Sequence, residues 1–243
     1  MDRNTRLTQI FIGVMLAAAT ATSTWAGLKS HTLHGYYAIA VLALAAVTSR
    51  MKVKLPGIDG NMSVNLPFLL TAVVSLSAAE AVVIASVSTV VQCWPKRDAK
   101  FKPEQMVFNV SMMALASCIA SLVLKTHWLS SPEWASGPTL PVLATATLFA
   151  VQTVSVAAVL ALSKGEGMHR IWWNLAQLSF PYYVVSAGIT AMMQSVSLHA
   201  GWALALAVFP VMCGIHRSYR LYFGWVVEHL RPVALARAAR TGA

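Results

Sequence analysis

The sequence predicts an all-α, polytopic membrane protein with about eight transmembrane helices and both termini in the cytoplasm. Hydrophobic residues make up 57% of the 243-residue chain, and charged residues make up only 11%. Long apolar runs recur along its whole length, which is typical of helical membrane proteins and not of soluble domains. These runs lack the alternation of apolar and polar residues that a membrane-spanning β-strand requires. Helices are therefore the predicted spanning elements.

The apolar runs define the predicted spans, and polar segments rich in Arg, Lys, Pro or Gly separate them. The first run also resembles a secretory signal, but it is long for one and we interpret it as a span. Pro181 is predicted to kink the seventh span. The spans cover residues 10–28, 35–48, 61–94 (two spans), 105–124, 140–162, 171–194 and 198–215. Residues 1–216 thus form the predicted bundle, and residues 217–243 form a basic cytoplasmic tail.

The longest apolar run, residues 61–94, contains a single charge, Glu80. One helix of that length would extend about 50 Å, well beyond a bilayer core of about 30 Å. The run is therefore either one over-long span or two short spans of about 16 residues each that turn at residues 78–80. With two spans, 16 of the 18 Lys and Arg residues fall in the cytoplasm, and only Lys29 and Lys125 fall outside. One span would remove this asymmetry, so the positive-inside rule favours the hairpin.

The basic residues indicate a lipid partner rather than nucleic acid. The formal charge of +10 comes from residues that lie between the apolar runs, where anionic headgroups are the expected partners. The three cysteines, Cys93, Cys118 and Cys213, lie in or at the ends of apolar runs, which predicts packed thiols instead of disulfides or a zinc site. The tail residues Arg217 and Arg220 suit either lipid anchoring or a helix that carries a signal to a partner.

No catalytic activity is expected. Apart from Glu80 at the turn, the interiors of the apolar runs contain no Asp, Glu, Lys, Arg or His. Such residues are typical of proton relays, pumps and voltage sensors, so their absence argues against a proton-coupled transporter. The sequence also contains no phosphate-binding loop, HExxH or GxSxG motif. We expect no cofactor and no catalytic residue.

The spans do contain neutral polar side chains. A pocket that hydrogen-bonds a small neutral ligand would use such groups. The alternative interpretation is that they form interhelical hydrogen bonds, worth about 0.6 kcal/mol each, between packed spans. The candidate ligand-binding residues are Asn65, Gln92, Asn109, Gln152, Asn174 and Gln177.

A second candidate site lies in the predicted outer loops, where histidines accompany two glutamates. Imidazole and carboxylate groups together suit zinc, and imidazole also suits copper or haem. A pH response of the histidines is a further interpretation, and solvated loop histidines without any ligand account for the same pattern. The residues are His31, His34, His127 and His199, with Glu80 and Glu133.

Three short motifs stand out: residues 55–61 (LPGIDGN), residues 92–94 (QCW) and Phe108-Asn109. Together they resemble a bacterial membrane sensor module that is usually found ahead of the HD-GYP and GGDEF domains of cyclic-di-GMP signalling. The helix at residues 217–222 resembles the connection to the output domain. Span 6 departs from the pattern, because Gln152 stands where the module is expected to have Asn. The chain ends at Ala243, where the output domain would begin. The resemblance therefore implies a sensory module that acts through a separate partner protein.

Three functions follow as hypotheses. The first is a multi-pass protein of the bacterial inner membrane that senses or binds a small ligand and has no catalytic domain of its own. The second is a substrate-binding membrane subunit of a small-molecule transporter of the vitamin-uptake kind, which also uses short helices and neutral pockets. The third is a membrane protein that binds metal or haem through the outer histidines.

Overall fold

The computed structural model describes residues 3–30, 34–54, 61–95, 101–125 and 139–200, with seven further residues between 210 and 221. Within these ranges the chain forms seven helices and one short antiparallel pair of strands. The elements are α1 (Arg3–Lys29), α2 (Gly35–Ser49), β1 (Lys52–Lys54), β2 (Asn61–Ser63), α3 (Leu66–Ser75), α4 (Ala78–Cys93), α5 (Pro103–Leu124), α6 (Thr139–Lys164) and α7 (Met168–Ala200). The predicted helical class is confirmed here. Most of the predicted eighth span and of the tail lies outside the described residues.

The helices fall into a long and a short group. The helices α1, α5 and α6 are long and apolar enough to cross a membrane, judged by length and composition. The helices α2, α3 and α4 are apolar but have only 15, 10 and 16 residues, so they extend about 22, 15 and 24 Å. The helix α7 is the longest at 33 residues and continues through Pro181, but it is not one of the three candidate spans. The count of eight spans stays a prediction.

Two contacts show that α2 and α4 run in the same direction. The backbone N–H of His34, just before α2, donates to the Glu80 carboxylate in the first turn of α4 over 2.6 Å. Beyond the other ends of the two helices, the Arg50 guanidinium lies 3.5 Å from the carbonyl oxygen of Trp94. These residues define the two ends of the bundle, which we call the His34 end and the Arg50 end.

The helix α3 runs opposite to α4. The N–H of Val64, just before α3, donates to the carbonyl of Met51, just after α2, over 3.2 Å. Therefore α3 begins near the Arg50 end, whereas α4 begins at the His34 end. The predicted division of the long apolar run into two antiparallel helices is confirmed. The prediction that both spans have about 16 residues was wrong for the first of them. Asn61–Ser63 pairs with Lys52–Lys54 as a strand, which leaves α3 only ten residues.

The break between α3 and α4 lies slightly earlier than predicted. Leu76 has an extended backbone, with φ of −114° and ψ of 174°, and Ser77 is the N-cap of α4. The Glu80 N–H donates to Ser77 Oγ (3.3 Å), and Glu80 Oε2 accepts from the Ser77 N–H (2.9 Å). This reciprocal capping box satisfies two backbone donors that a helix start leaves free. Residues 78–80 therefore form the first turn of α4 and not the turn itself.

The remaining helices continue the alternation. The amide of Gln9 lies 3.5 Å from the Glu104 carboxylate near the starts of α1 and α5, and the Cys118 thiol donates to the Thr22 carbonyl farther along (3.6 Å). These two helices are therefore parallel. The helix α6 ends at the Arg50 end beside the start of α1, and Gly165, with φ of +70°, lets the chain reverse into α7.

The basic residues are distributed unequally between the two ends that the alternating helices define. The described cationic residues of the helices and their caps separate between the two ends, which agrees with the asymmetry used in the sequence analysis. Arg6, Arg50, Lys102, Lys164 and Arg170 lie at or near the Arg50 end, whereas Lys29 and Lys125 lie at the His34 end.

The short helix α3 lies in the centre of the bundle. Its residues from Leu66 to Val73 are all buried, and they pack against α2, α4, α5, α6 and α7. The N–H of Leu66 meets Tyr182, which lies 14 residues after the start of α7, or about 21 Å along that helix. The helix α3 therefore accompanies only the second half of α7, and the first half of α7 extends beyond the start of α3.

Candidate functional site

The six predicted ligand-binding residues lie in three places. Asn65 is buried just before α3, and Gln152 is half-buried on α6. Gln92 and Asn109 are half-buried where α4 ends and α5 begins, whereas Asn174 and Gln177 are exposed on α7. The structure therefore does not bring the six together. Asn65 directly precedes α3, and Gln152 lies on α6, which packs against α3. We take the region around α3 as the candidate site.

Polar contacts join α3 to α7. Leu66 donates its backbone N–H to the hydroxyl oxygen of Tyr182 over 3.2 Å. The Thr190 hydroxyl donates to the carbonyl of Pro67 (3.3 Å), which also accepts from the Thr71 hydroxyl (2.8 Å). The first turn of α3 is thus bound to α7 through side-chain hydroxyls. Such bonds in an apolar interior hold the two helices in one register.

Gln152 lies beside an aromatic cluster between α6 and α7. The Tyr183 hydroxyl donates to Gln152 Oε1 over 2.5 Å, and Tyr183 is only 6% exposed. The ring of Phe149 meets Tyr183 edge-to-face at 5.1 Å between centroids. Gln152 Nε2 is buried and has no hydrogen-bond partner among the described residues. An amide nitrogen of this kind offers two donors, so the geometry leaves a hydrogen-bonding position open to a water or a ligand acceptor.

Other buried polar atoms in the described helices share this property. They are the hydroxyl oxygens of Ser111, Ser117 and Ser121 on α5 and the Oε1 atom of Gln194 on α7. Because buried polar groups normally have a partner, each of these atoms calls for a water or a bound molecule. Uncharged donors and acceptors are the chemistry that these atoms offer. The buried side chains in the described ranges include one carboxylate, Glu80, and no Lys or Arg.

The second group of predicted residues forms a contact between α4 and α5. The Asn109 amide donates to Cys93 Sγ over 3.4 Å. The preceding residue, Phe108, is buried and packs its ring 6.4 Å from that of Phe11 on α1. Two motifs that are 16 residues apart in the sequence are thus one structural unit. Their contacts are those of packed helices, which the alternative interpretation in the sequence analysis predicted for such residues.

At the His34 end, Glu80 binds two segments together. Its Oε2 atom accepts from the Ser77 hydroxyl (2.7 Å) and faces His34 Nδ1 at 3.1 Å, in addition to the two backbone bonds already described. The backbone contacts, from the N–H groups of His34 and Ser77, both bring a donor to the carboxyl group, which is acceptor-only when it is ionised. The ionised carboxylate therefore holds the start of α2 against the turn between α3 and α4.

The histidine site of the sequence analysis is only partly visible. His34 binds Glu80, but His31 and His127 lie outside the described residues, and the side chain of His199 is not described. Within the described residues no group of three or more His, Cys, Asp or Glu side chains is placed to hold a metal ion. Of the four histidines in this predicted site, His34 is the one whose side chain is described, and it joins the start of α2 to the start of α4.

Sequence reasoning missed the tyrosines of the candidate site. Tyr182 and Tyr183 follow Pro181 in the middle of a predicted span, and each uses its hydroxyl in a contact with another helix. The available signal was the position itself, since a buried tyrosine hydroxyl needs a hydrogen-bond partner. Adjacent tyrosines point to different sides of a helix, and this is why one reaches α3 and the other reaches α6.

Comparison of the chain with protein-family models, curated proteins and solved structures finds no match.

Proposed function

We propose that this chain is a ligand-binding module of the sensory kind in the bacterial inner membrane, with eight spans and cytoplasmic termini, and that it acts through a partner protein. The observation that carries the proposal is α3, a ten-residue apolar helix buried among five other helices. Membrane proteins use unusually short or interrupted helices at binding sites, because the helix end exposes polar backbone groups inside the bundle. The clefts between the helices of a bundle are also common ligand sites.

The topology in this proposal draws support from the direction of the helices. Each of the seven described helices runs opposite to the one before it, and basic residues concentrate at the Arg50 end. The positive-inside rule assigns that end to the cytoplasm. The predicted eighth span, residues 198–215, shares its first three residues with α7. A span in the remainder of that run would return the chain to the same side.

The ligand in this proposal is small and neutral. The region around α3 contains the hydroxyls of Tyr182 and Thr190, which bind α3, and the amide nitrogen of Gln152, which has no partner among the described residues. A charged ligand in an apolar bundle would require an opposite charge, and the described residues of this region provide none. The sensory assignment rests on the motif resemblance, two parts of which, at Cys93 and Asn109, are in contact.

The experiment that tests the ligand site is native mass spectrometry of the purified, full-length protein for a co-purifying small molecule. Gln152→Leu should lower retention of that molecule about tenfold, because one or two hydrogen bonds in an apolar site are lost. Gln105→Leu is the matched control, since Gln105 is an exposed glutamine at the start of α5. If the wild type carries no bound molecule, or if both variants retain the molecule equally, Gln152 serves only in packing between helices and the ligand proposal is wrong.

A transport component is the second candidate, and the same short helix favours it. A helix that ends inside the bundle is also how many transporters form their substrate site. The two functions differ in turnover. If the molecule found on the protein accumulates inside vesicles that contain this chain and a transporter ATPase, the transport hypothesis replaces the sensory one. If the molecule binds without uptake, the sensory proposal stands.

A further inference from the structure

The contact between Tyr183 and Gln152 fixes the direction in which the Gln152 amide points. The Tyr183 hydroxyl oxygen and Gln152 Oε1 are 2.5 Å apart. That separation suits an O–H···O hydrogen bond, whereas N–H···O bonds are normally about 2.7–3.2 Å long. The amide nitrogen therefore does not fit in place of the oxygen in this contact. Nε2, with its two N–H donors, is directed away from Tyr183.

The part of the chain that the structure describes makes no use of these two donors. Nε2 is buried and has no partner there. One turn away on either side along α6, the neighbours of Gln152 are the apolar residues Leu148 and Val156. The Ser155 hydroxyl, three residues on, does not bond to the nitrogen either. A hydrogen bond between α6 and α7 needs only the amide oxygen, so helix packing leaves the nitrogen half of this amide for a bound molecule.

The surroundings of Gln152 suit a ligand that accepts hydrogen bonds and brings no donor of its own. A ligand O–H or N–H would need an acceptor, but Gln152 Oε1 already accepts from Tyr183. On the next residue, the Thr153 hydroxyl already donates to the carbonyl of Phe149 (2.7 Å) and accepts from Trp172 Nε1 (3.2 Å). The rings of Phe149 and Tyr183, which pack edge-to-face, add apolar surface. A carbonyl oxygen on an apolar molecule meets these conditions, since it has two lone pairs and no hydrogen.

We propose that Tyr183 is a positioning residue that sets the ligand class of this site. By holding Gln152 Oε1, it makes the amide present its N–H groups to the carbonyl oxygen of an uncharged, largely apolar ketone or ester. This inference rests on the proposed ligand site and names the chemistry that the site recognises. Without the Tyr183 hydroxyl, the amide is free to turn its oxygen towards the ligand, and a molecule with an N–H donor then becomes acceptable.

Three small probes of nearly equal shape test this selectivity. Acetophenone, N-methylaniline and ethylbenzene carry C=O, N–H and CH₂, respectively, between a phenyl ring and a methyl group. Equilibrium dialysis of the full-length protein in lipid discs measures the binding of each probe, with the value for empty discs subtracted. Each probe is compared between proteins, so its partition into lipid cancels. Gln152→Leu should lower acetophenone binding about tenfold and leave ethylbenzene unchanged, because only the N–H donors are lost. Gln105→Leu, at an exposed glutamine, is the matched control and should change neither.

Tyr183→Phe separates positioning from packing, because it keeps the ring and removes the hydroxyl. Acetophenone binding should fall about threefold and N-methylaniline binding should rise about threefold, while ethylbenzene binding stays constant. A purely structural role of Tyr183 would move all three probes together or none of them, and either result would overturn the inference. Wild-type protein that binds no acetophenone above empty discs would overturn it as well.

The outcome for this inference can be told apart from that for the proposed ligand site. If the co-purifying molecule depends on Gln152 but the three probes respond in parallel to Tyr183→Phe, this inference fails and the ligand site stands. If retention of that molecule is the same in the wild type and in Gln152→Leu, the ligand site itself fails.

Discussion

Glu80 provides the sharpest test of how the bundle is held at the His34 end. Its two carboxylate oxygens receive four contacts, from the N–H and hydroxyl of Ser77 and from the N–H and Nδ1 of His34, at 2.6 to 3.1 Å. In Glu80→Gln, the amide oxygen can replace Oε2, but the NH₂ group then faces the N–H of His34, which is also a donor. Hydrogen bonds to charged groups contribute about 1.5–3 kcal/mol, so we expect a loss of about 2 kcal/mol in the free energy of unfolding.

Thermal unfolding in detergent or lipid discs, followed by tryptophan fluorescence, measures this change. A loss of about 2 kcal/mol corresponds to a fall in Tm of roughly 4–8 °C for a chain of this size. Glu104→Gln is the matched control, because Glu104 is exposed and its partner among the described residues, the Gln9 amide, lies as far as 3.5 Å from the carboxylate. That variant should shift Tm by about 1 °C or less. Equal Tm values for Glu80→Gln and the wild type would refute the role assigned to the carboxylate.

Three further predictions concern α3, the α6–α7 turn and the topology. Tyr182→Phe should lower the free energy of unfolding by about 1–3 kcal/mol, because it removes the partner of the Leu66 N–H. Tyr36→Phe is the control, since Tyr36 is 93% exposed, and it should cause no measurable loss in the same thermal assay. Gly165→Ala should destabilise the protein by about 1 kcal/mol, because the φ of Gly165 is +70°. Gly13→Ala, in the middle of α1, should be neutral or stabilising. The opposite order of Tm values would contradict the positive φ assigned to Gly165. Cysteines introduced at Ala79 and Lys100 should label from opposite sides of the membrane, and labelling of both from the cytoplasm would exclude the eight-span topology.

The hairpin of α3 and α4 shows how far the sequence could be interpreted. The placement of basic residues predicted that the apolar run turns back, because charge asymmetry depends only on which loops share a side. The position of the turn was missed by about two residues, since the cap at Ser77 depends on reciprocal hydrogen bonds with Glu80. The shortness of α3 was also missed. Strand pairing between residues on both sides of the 55–60 segment is a non-local effect that apolar composition does not report.

The candidate site was predicted less well than the fold. Asn65 and Gln152 do lie near α3, but Asn174 and Gln177 share a face that is exposed. Spacing along one helix identifies residues on the same side, and it does not say whether that side faces the bundle or its surroundings. Tyr182 and Tyr183 were overlooked for a related reason. A tyrosine in an apolar span cannot be told from a large packing residue until the partner of its hydroxyl is known.

The amino-acid sequence by itself determined that the protein is helical, where its long apolar runs lie and which loops carry the positive charge. Composition, periodicity and charge placement are local properties, so they can be determined without knowledge of the fold. Tertiary structure alone decided that α3 is a short helix packed among five others and that α7 exposes its amides. It also decided that Gln152 buries an amide nitrogen that meets no partner within the described part of the chain. These features depend on which helices are neighbours, and contacts between distant segments determine that arrangement.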